Sequence, residues 1–99
     1  MFICRIVGSV VSTVKDSSLH AGKLLLVKYA DPKGDDEGAI FIALDTVGAG
    51  EGELVMVAIG SSAREALNLH DKNSPVDAAI VGIIDSISQK SKITFDKNA

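Results

Sequence analysis

The chain has no tryptophan, and its only aromatic residues are Phe2, Tyr29, Phe41 and Phe95. A surface that stacks bases and tracks phosphates needs aromatic rings set among clustered cations. Here ten Lys and Arg face thirteen Asp and Glu, the formal net charge is −3, and the lysines are scattered, so nucleic acid is not an expected partner. There is one cysteine, Cys4. It excludes an intrachain disulfide and, lying in a strand-like run, reads as a buried thiol in a reducing compartment. Long apolar runs are also missing: MFICRIVGSVVSTV contains Arg5 and has no basic region before it. Neither a membrane span nor a signal peptide is therefore expected.

Groups that carry chemistry are equally sparse. His20, His70 and Cys4 fall in three separate segments without the paired spacing of a structural zinc site, and Asp35, Asp36 and Glu37 lack the alternating ligands of a calcium loop. The run GAGEGE fails as a phosphate cradle. Its glycines alternate instead of following G-x-G-x-x-G, an apolar strand follows it, and Glu51 and Glu53 would repel an anion. Ser61 or Ser62 with His70 and one of Asp71, Asp77 or Asp85 has the residue types of a hydrolase, yet nothing in the spacing brings them together. Asp45 and Asp85 each end an apolar strand, where turn initiation accounts for a carboxylate. No catalytic residue, metal ligand or cofactor is assigned.

What is present is small, apolar and rich in glycine. The 99 residues are enough for one domain, spanning 1–99. Counting glycine and leaving tyrosine out, about 54% of the residues are apolar, above the roughly 45–50% of an ordinary globular chain. A domain of this size buries a modest fraction of its surface. The surplus points to an interface between copies, with a tightly packed monomer as the plainer reading.

Alternation and β-branched residues predict strands over Phe2–Val14, Lys23–Ala30, Ala39–Asp45, Leu54–Gly60 and Ala78–Ser88, with Lys92–Phe95 as a short edge strand. Gly8 and Gly82 interrupt the first and fifth, as at the bends of a small barrel. Between the fourth and fifth, Ser62 with Glu65 three residues on fits a capping box and predicts a helix over Ala63–Leu69. The expected fold is mainly β: a small five-stranded barrel, similar to the oligonucleotide-binding fold, with one short helix between strands 4 and 5. That architecture keeps one alternative open, a nucleic-acid or small-ligand binding module.

Five strings occur in order along the chain: VVST closing the first strand, KLLLV, DTVGAGEGE, GSSAR and SPVDAAIVGIID. In this order and spacing they resemble the bacterial microcompartment vertex proteins, the family of the carboxysome vertex subunit and its ethanolamine and propanediol counterparts. The resemblance implies a small barrel assembled as a cyclic homopentamer. It implies a structural part in the cytoplasm, capping the vertices of a polyhedral shell whose flat facets are hexameric shell proteins, with no enzymatic activity. Under it the loop Thr46, Val47, Gly48, Ala49, Gly50, Glu51 and Gly52 is expected at the five-fold axis, where glycines let five backbones crowd together. Ser61, Ser62, Ala63, Arg64, Asn73, Pro75, Val76 and Asp77 are expected at the subunit or hexamer interface. The family often carries an Asn-Arg-Pro-like segment where this chain has Asn73, Ser74, Pro75, which removes one positive charge there.

Overall fold

A computed structural model describes residues 1–13, 22–67 and 76–99. Its elements in chain order are β1 (Phe2–Val10), β2 (Lys23–Ala30), β3 (Asp36–Asp45), β4 (Leu54–Ile59), α1 (Ser61–Ala66), β5 (Ala78–Ile83), β6 (Ser86–Gln89) and β7 (Lys92–Asp96). The first five strands form a closed barrel in the order β1-β2-β3-β5-β4. Neighbours pair antiparallel except β3 with β5, which run parallel through Leu44 with Ala79 and Asp45 with Ile80. Pairing of β1 with β4 completes the circle, and the one thin seam is β3 with β5, where only the Leu44–Asp45 end of β3 is paired among the described residues.

Residues that alternate along the strands fill the interior. Cys4, Ile6, Leu25, Val27, Ala43, Val55, Val57 and Ile80 form the core, and Tyr29, Phe41 and Ile83 pack against it half-buried. Tyr29 stands between two other rings, 5.3 Å from Phe2 edge-on and 4.9 Å from Phe41. A second, smaller cluster lies outside the barrel wall, where Ala58, Ala63 and Ala79 meet with Leu67 and Val81. Alanine on both sides lets α1 lie close against β4 and β5.

Several boundaries differ from the sequence reading. The first strand ends at Val10, with a bulge between Ile6 and Gly8, and the far end of its expected span, Val14, lies outside the described residues. β3 begins at Asp36 instead of Ala39, because Ala30 pairs with Asp36 across a second register shift. The long fifth strand is two strands. β5 stops at Ile83, and the chain then leaves the barrel at Asp85, where the Lys97 amide donates to the Asp85 carbonyl (3.0 Å). β6 pairs with β7 as a separate hairpin, so Lys92–Asp96 does not border the barrel. An apolar run cannot report a change of partner.

The capping box does not form. Gly60, not Ser62, stands at the N-cap of α1, with φ 68° and no side-chain cap. Its amide donates to the Asp77 carbonyl (2.6 Å), and its own carbonyl accepts from Ala63 (3.1 Å). That strand-to-helix turn needs a left-handed residue, which glycine supplies without strain. Ser61, Ser62 and Glu65 fall inside the helix and are exposed.

Candidate functional site

Two of the expected groups are spatially coherent. The β3–β4 loop is built around Asp45, which is buried at 3% exposure, with Oδ1 accepting from the Val47 amide (3.0 Å) and Oδ2 from the Ala49 amide (3.0 Å). Glu53 holds the other arm, its Oε1 accepting from the Gly50 amide at 2.7 Å. The Gly52 amide donates to the Ile6 carbonyl (2.8 Å), and the Ile6 amide donates to the Glu53 carbonyl (3.0 Å). Four of the amides that an anion-binding loop would offer, those of Val47, Ala49, Gly50 and Gly52, are thus already taken by this chain's own acceptors.

Two of the loop's three glycines have an explanation inside one copy. Gly48 and Gly52 sit at φ 83° and 90°, where a side chain is strained although the space around them is open. Gly50 is different. Its φ is ordinary, and a Cβ there would meet Glu53 Oε1 at 3.5 Å, a normal contact. Ala49 tucks into the core, leaving Thr46, Val47, Gly48, Glu51 and Gly52 exposed.

The helix group gathers as well. Arg64 Nη1 donates to the Val76 carbonyl (3.2 Å), so its guanidinium braces the approach to β5 from within the chain. Ala63 and Val76 are buried, whereas Ser61, Ser62 and Asp77 face solvent. Asn73 and Pro75 lie outside the described residues, as do His20 and His70. Among the described residues no group of three or more His, Cys, Asp or Glu converges as a metal site would require. Burial pushes the Cys4 thiol up to about 11, which keeps it neutral and unreactive.

Two features escape the sequence reading. One is the outward face of β2 and β3, where Leu26 pairs with Ile42 and Lys28 with Ile40. Ile40 and Ile42 are 53% and 48% exposed, and with Leu26, Ile59 and Ala78 they line a shallow apolar depression beside Asp77. Its signal was present: LLLV and AIFIAL are apolar at consecutive positions, so both faces of each strand are oily. The other is Arg5, whose Nε lies 2.8 Å from Asp36 Oδ1 and whose Nη1 donates to the Gly52 carbonyl at 2.7 Å. A single arginine in an apolar strand gives no hint of what it will reach.

Residues 1–85 match the family described as ethanolamine utilisation protein EutN/carboxysome. The chain belongs to this family. Among curated relatives, the microcompartment shell vertex protein EutN of Escherichia coli K12 is 38% identical over 97 residues, covering 98% of this chain and all of the relative. The carboxysome shell vertex protein CcmL of Thermosynechococcus vestitus is 41% identical, covering 98% of this chain and 96% of its own length. Among solved structures, CcmL of Gloeobacter violaceus superimposes with a TM-score of 0.87 at 36% identity, with all of both chains covered. The GrpN pentameric microcompartment shell protein of Rhodospirillum rubrum gives 0.77 at 43% identity, covering 90% of this chain and 99% of that one. The β6–β7 hairpin lies beyond the residues matched to the EutN/carboxysome family, yet full-length coverage by the G. violaceus structure takes it in.

Proposed function

We propose that five copies of this chain close into a ring that caps the vertices of a bacterial microcompartment shell in the cytoplasm. A layer of six-fold tiles is flat, so a five-fold unit placed among hexameric shell proteins supplies the curvature that lets the polyhedron close. The chain's part is structural, with no turnover. The observation that carries the reading is the match to a pentameric shell protein at 43% identity over 90% of the chain. The uncovered Ile40, Ile42 and Ile59 surface supports it, since a cyclic ring needs an apolar flank on each subunit and a lone copy leaves this one wet.

In this reading the loop Thr46–Gly52 faces the five-fold axis. Ser61–Arg64, Val76, Asp77 and the segment with Asn73 and Pro75 meet a neighbouring subunit or a hexamer. Gly50 is the better reporter of crowding at the axis, because Gly48 is already required by its own backbone. The nucleic-acid alternative finds little support: Tyr29 is flanked by Phe2 and Phe41, and Phe95 lies over Gly34. Light scattering on the purified full chain tests the proposal. A mass near five times 10.3 kDa is expected, and a stable monomer at working concentration overturns it. Co-expression with a hexameric shell protein, imaged by electron microscopy, should give closed polyhedra with this chain and open sheets or tubes without it.

A further inference from the structure

We infer that Arg5 is the positioning residue of the 46–52 loop, holding it to the β2–β3 turn and, through that turn, to the C-terminal hairpin. Arg5 leaves β1 half-buried and spreads its three nitrogens over three acceptors. Nε pairs with the Asp36 carboxylate (2.8 Å), Nη1 donates to the Gly52 carbonyl (2.7 Å), and Nη2 donates to the Gly34 carbonyl. Gly52 ends the loop, whereas Gly34 and Asp36 belong to the turn between β2 and β3. One rigid fork therefore spans two segments that otherwise have no hydrogen bond to each other among those of the described residues.

The turn is itself anchored. Asp31 Oδ1 accepts from the amides of Lys33 (2.8 Å) and Asp35 (3.0 Å), and the Gly34 amide donates to the Asp31 carbonyl (2.9 Å). Gly34 is buried with φ 84°, and a Cβ on it would stand 2.6 Å from Phe95 Cδ1. Thr94, beside Phe95 on β7, donates its hydroxyl to the Pro32 carbonyl. Packing thus runs from β7 to the turn, and the guanidinium carries it on to the loop. Charge-assisted bonds of this kind are the strong ones, and Lys cannot reproduce the fork.

The inference deepens the vertex reading, since it rests on the loop's place at the axis for its consequence, but its test does not. Amide exchange is measured on full-length wild type, Arg5→Gln, Arg5→Lys and Asp36→Asn, and the mass of each is taken in parallel. Gly50 and Gly52 should exchange at least about tenfold faster in Arg5→Gln and Arg5→Lys, and measurably faster in Asp36→Asn. Leu25 and Val27, in the β2 core, should be unchanged. Asp36 is exposed at the surface, so Asp36→Asn stays informative if an Arg5 variant fails to fold. Loop exchange that matches wild type, Arg5→Lys included, or acceleration spread evenly over the barrel, overturns the positioning role. The mass decides the ring separately, whatever the loop does.

Discussion

Gly22 and Asp45 touch through their backbones: the hydrogen that stands in place of a Gly22 side chain points at the Asp45 carbonyl, well inside the distance any carbon tolerates. The neighbour is backbone carbonyl, not a swinging side chain, so it yields only if the strand itself shifts. Lys23, next to Gly22, pairs with Asp45 across β2 and β3, and Asp45 also shapes the 46–52 loop. Gly22→Ala is expected to destabilise the chain by about 1–3 kcal/mol and to distort the loop. Thermal melting together with amide exchange at Val47 and Ala49 checks this, and a variant with wild-type melting would show that the two strands can part at no expense.

The apolar flank makes a second expectation. Ile42 projects outward from β3 and takes no part in the core, so Ile42→Lys should leave the barrel folded. In the proposed ring, where this flank meets a neighbour, the lysine buries an unpaired charge, and the five-subunit mass should fall to that of single chains. Retention of the full ring by Ile42→Lys places the contact on another face.

Cys4 gives a pH dependence with a definite sign. Burial raises the thiol from its ordinary 9.0 to about 11, so above pH 9 the unfolded chain releases a proton that the folded chain keeps. Stability from this group is whole below pH 9 and is lost as pH climbs towards 11. Denaturant midpoints should therefore decline across that window in wild type and less in Cys4→Ala. At pH 8 a thiol reagent should label the native protein negligibly and label one site per chain in denaturant.

The β6–β7 turn is strained. Lys90 and Ser91 occupy φ 53° and 64°, the left-handed region, in a two-residue connection between the paired Gln89 and Lys92. Asn-Gly is the pair that favours such a turn. Replacing Lys90→Asn and Ser91→Gly should stabilise the hairpin by about 1 kcal/mol, seen as slower exchange of the Ile87 and Ile93 amides. Unchanged exchange would mean that contacts elsewhere set the hairpin's stability.

Much of the barrel was legible because its strands are short apolar runs set between turn residues: Leu24–Val27 is followed within a few positions by Asp31, Pro32 and Gly34. The assembly signal was legible too, since five short strings fell in order. What stayed hidden depends on contacts made across the fold. Nothing adjacent to Ser62 shows that Gly60 bonds Asp77 and takes the cap position. AAIVGIIDSIS carries a turn-forming residue at Asp85, but nothing in it says that the chain abandons one sheet for another there. The reach of Arg5 to Asp36, Gly34 and Gly52 exists only after β1, the turn and the loop converge.

The seam between β3 and β5 is only two residue pairs long, and its strands are distant in the chain. A nascent polypeptide emerging from the ribosome therefore first presents β1, β2 and β3 as an open meander, its greasy inner surface bare until β4 and β5 arrive to shut it. Until that stave drops into place, the concave side competes with the convex one for any sibling nearby. Once the barrel is shut, that concave side is sealed and only the convex one is left to meet another copy.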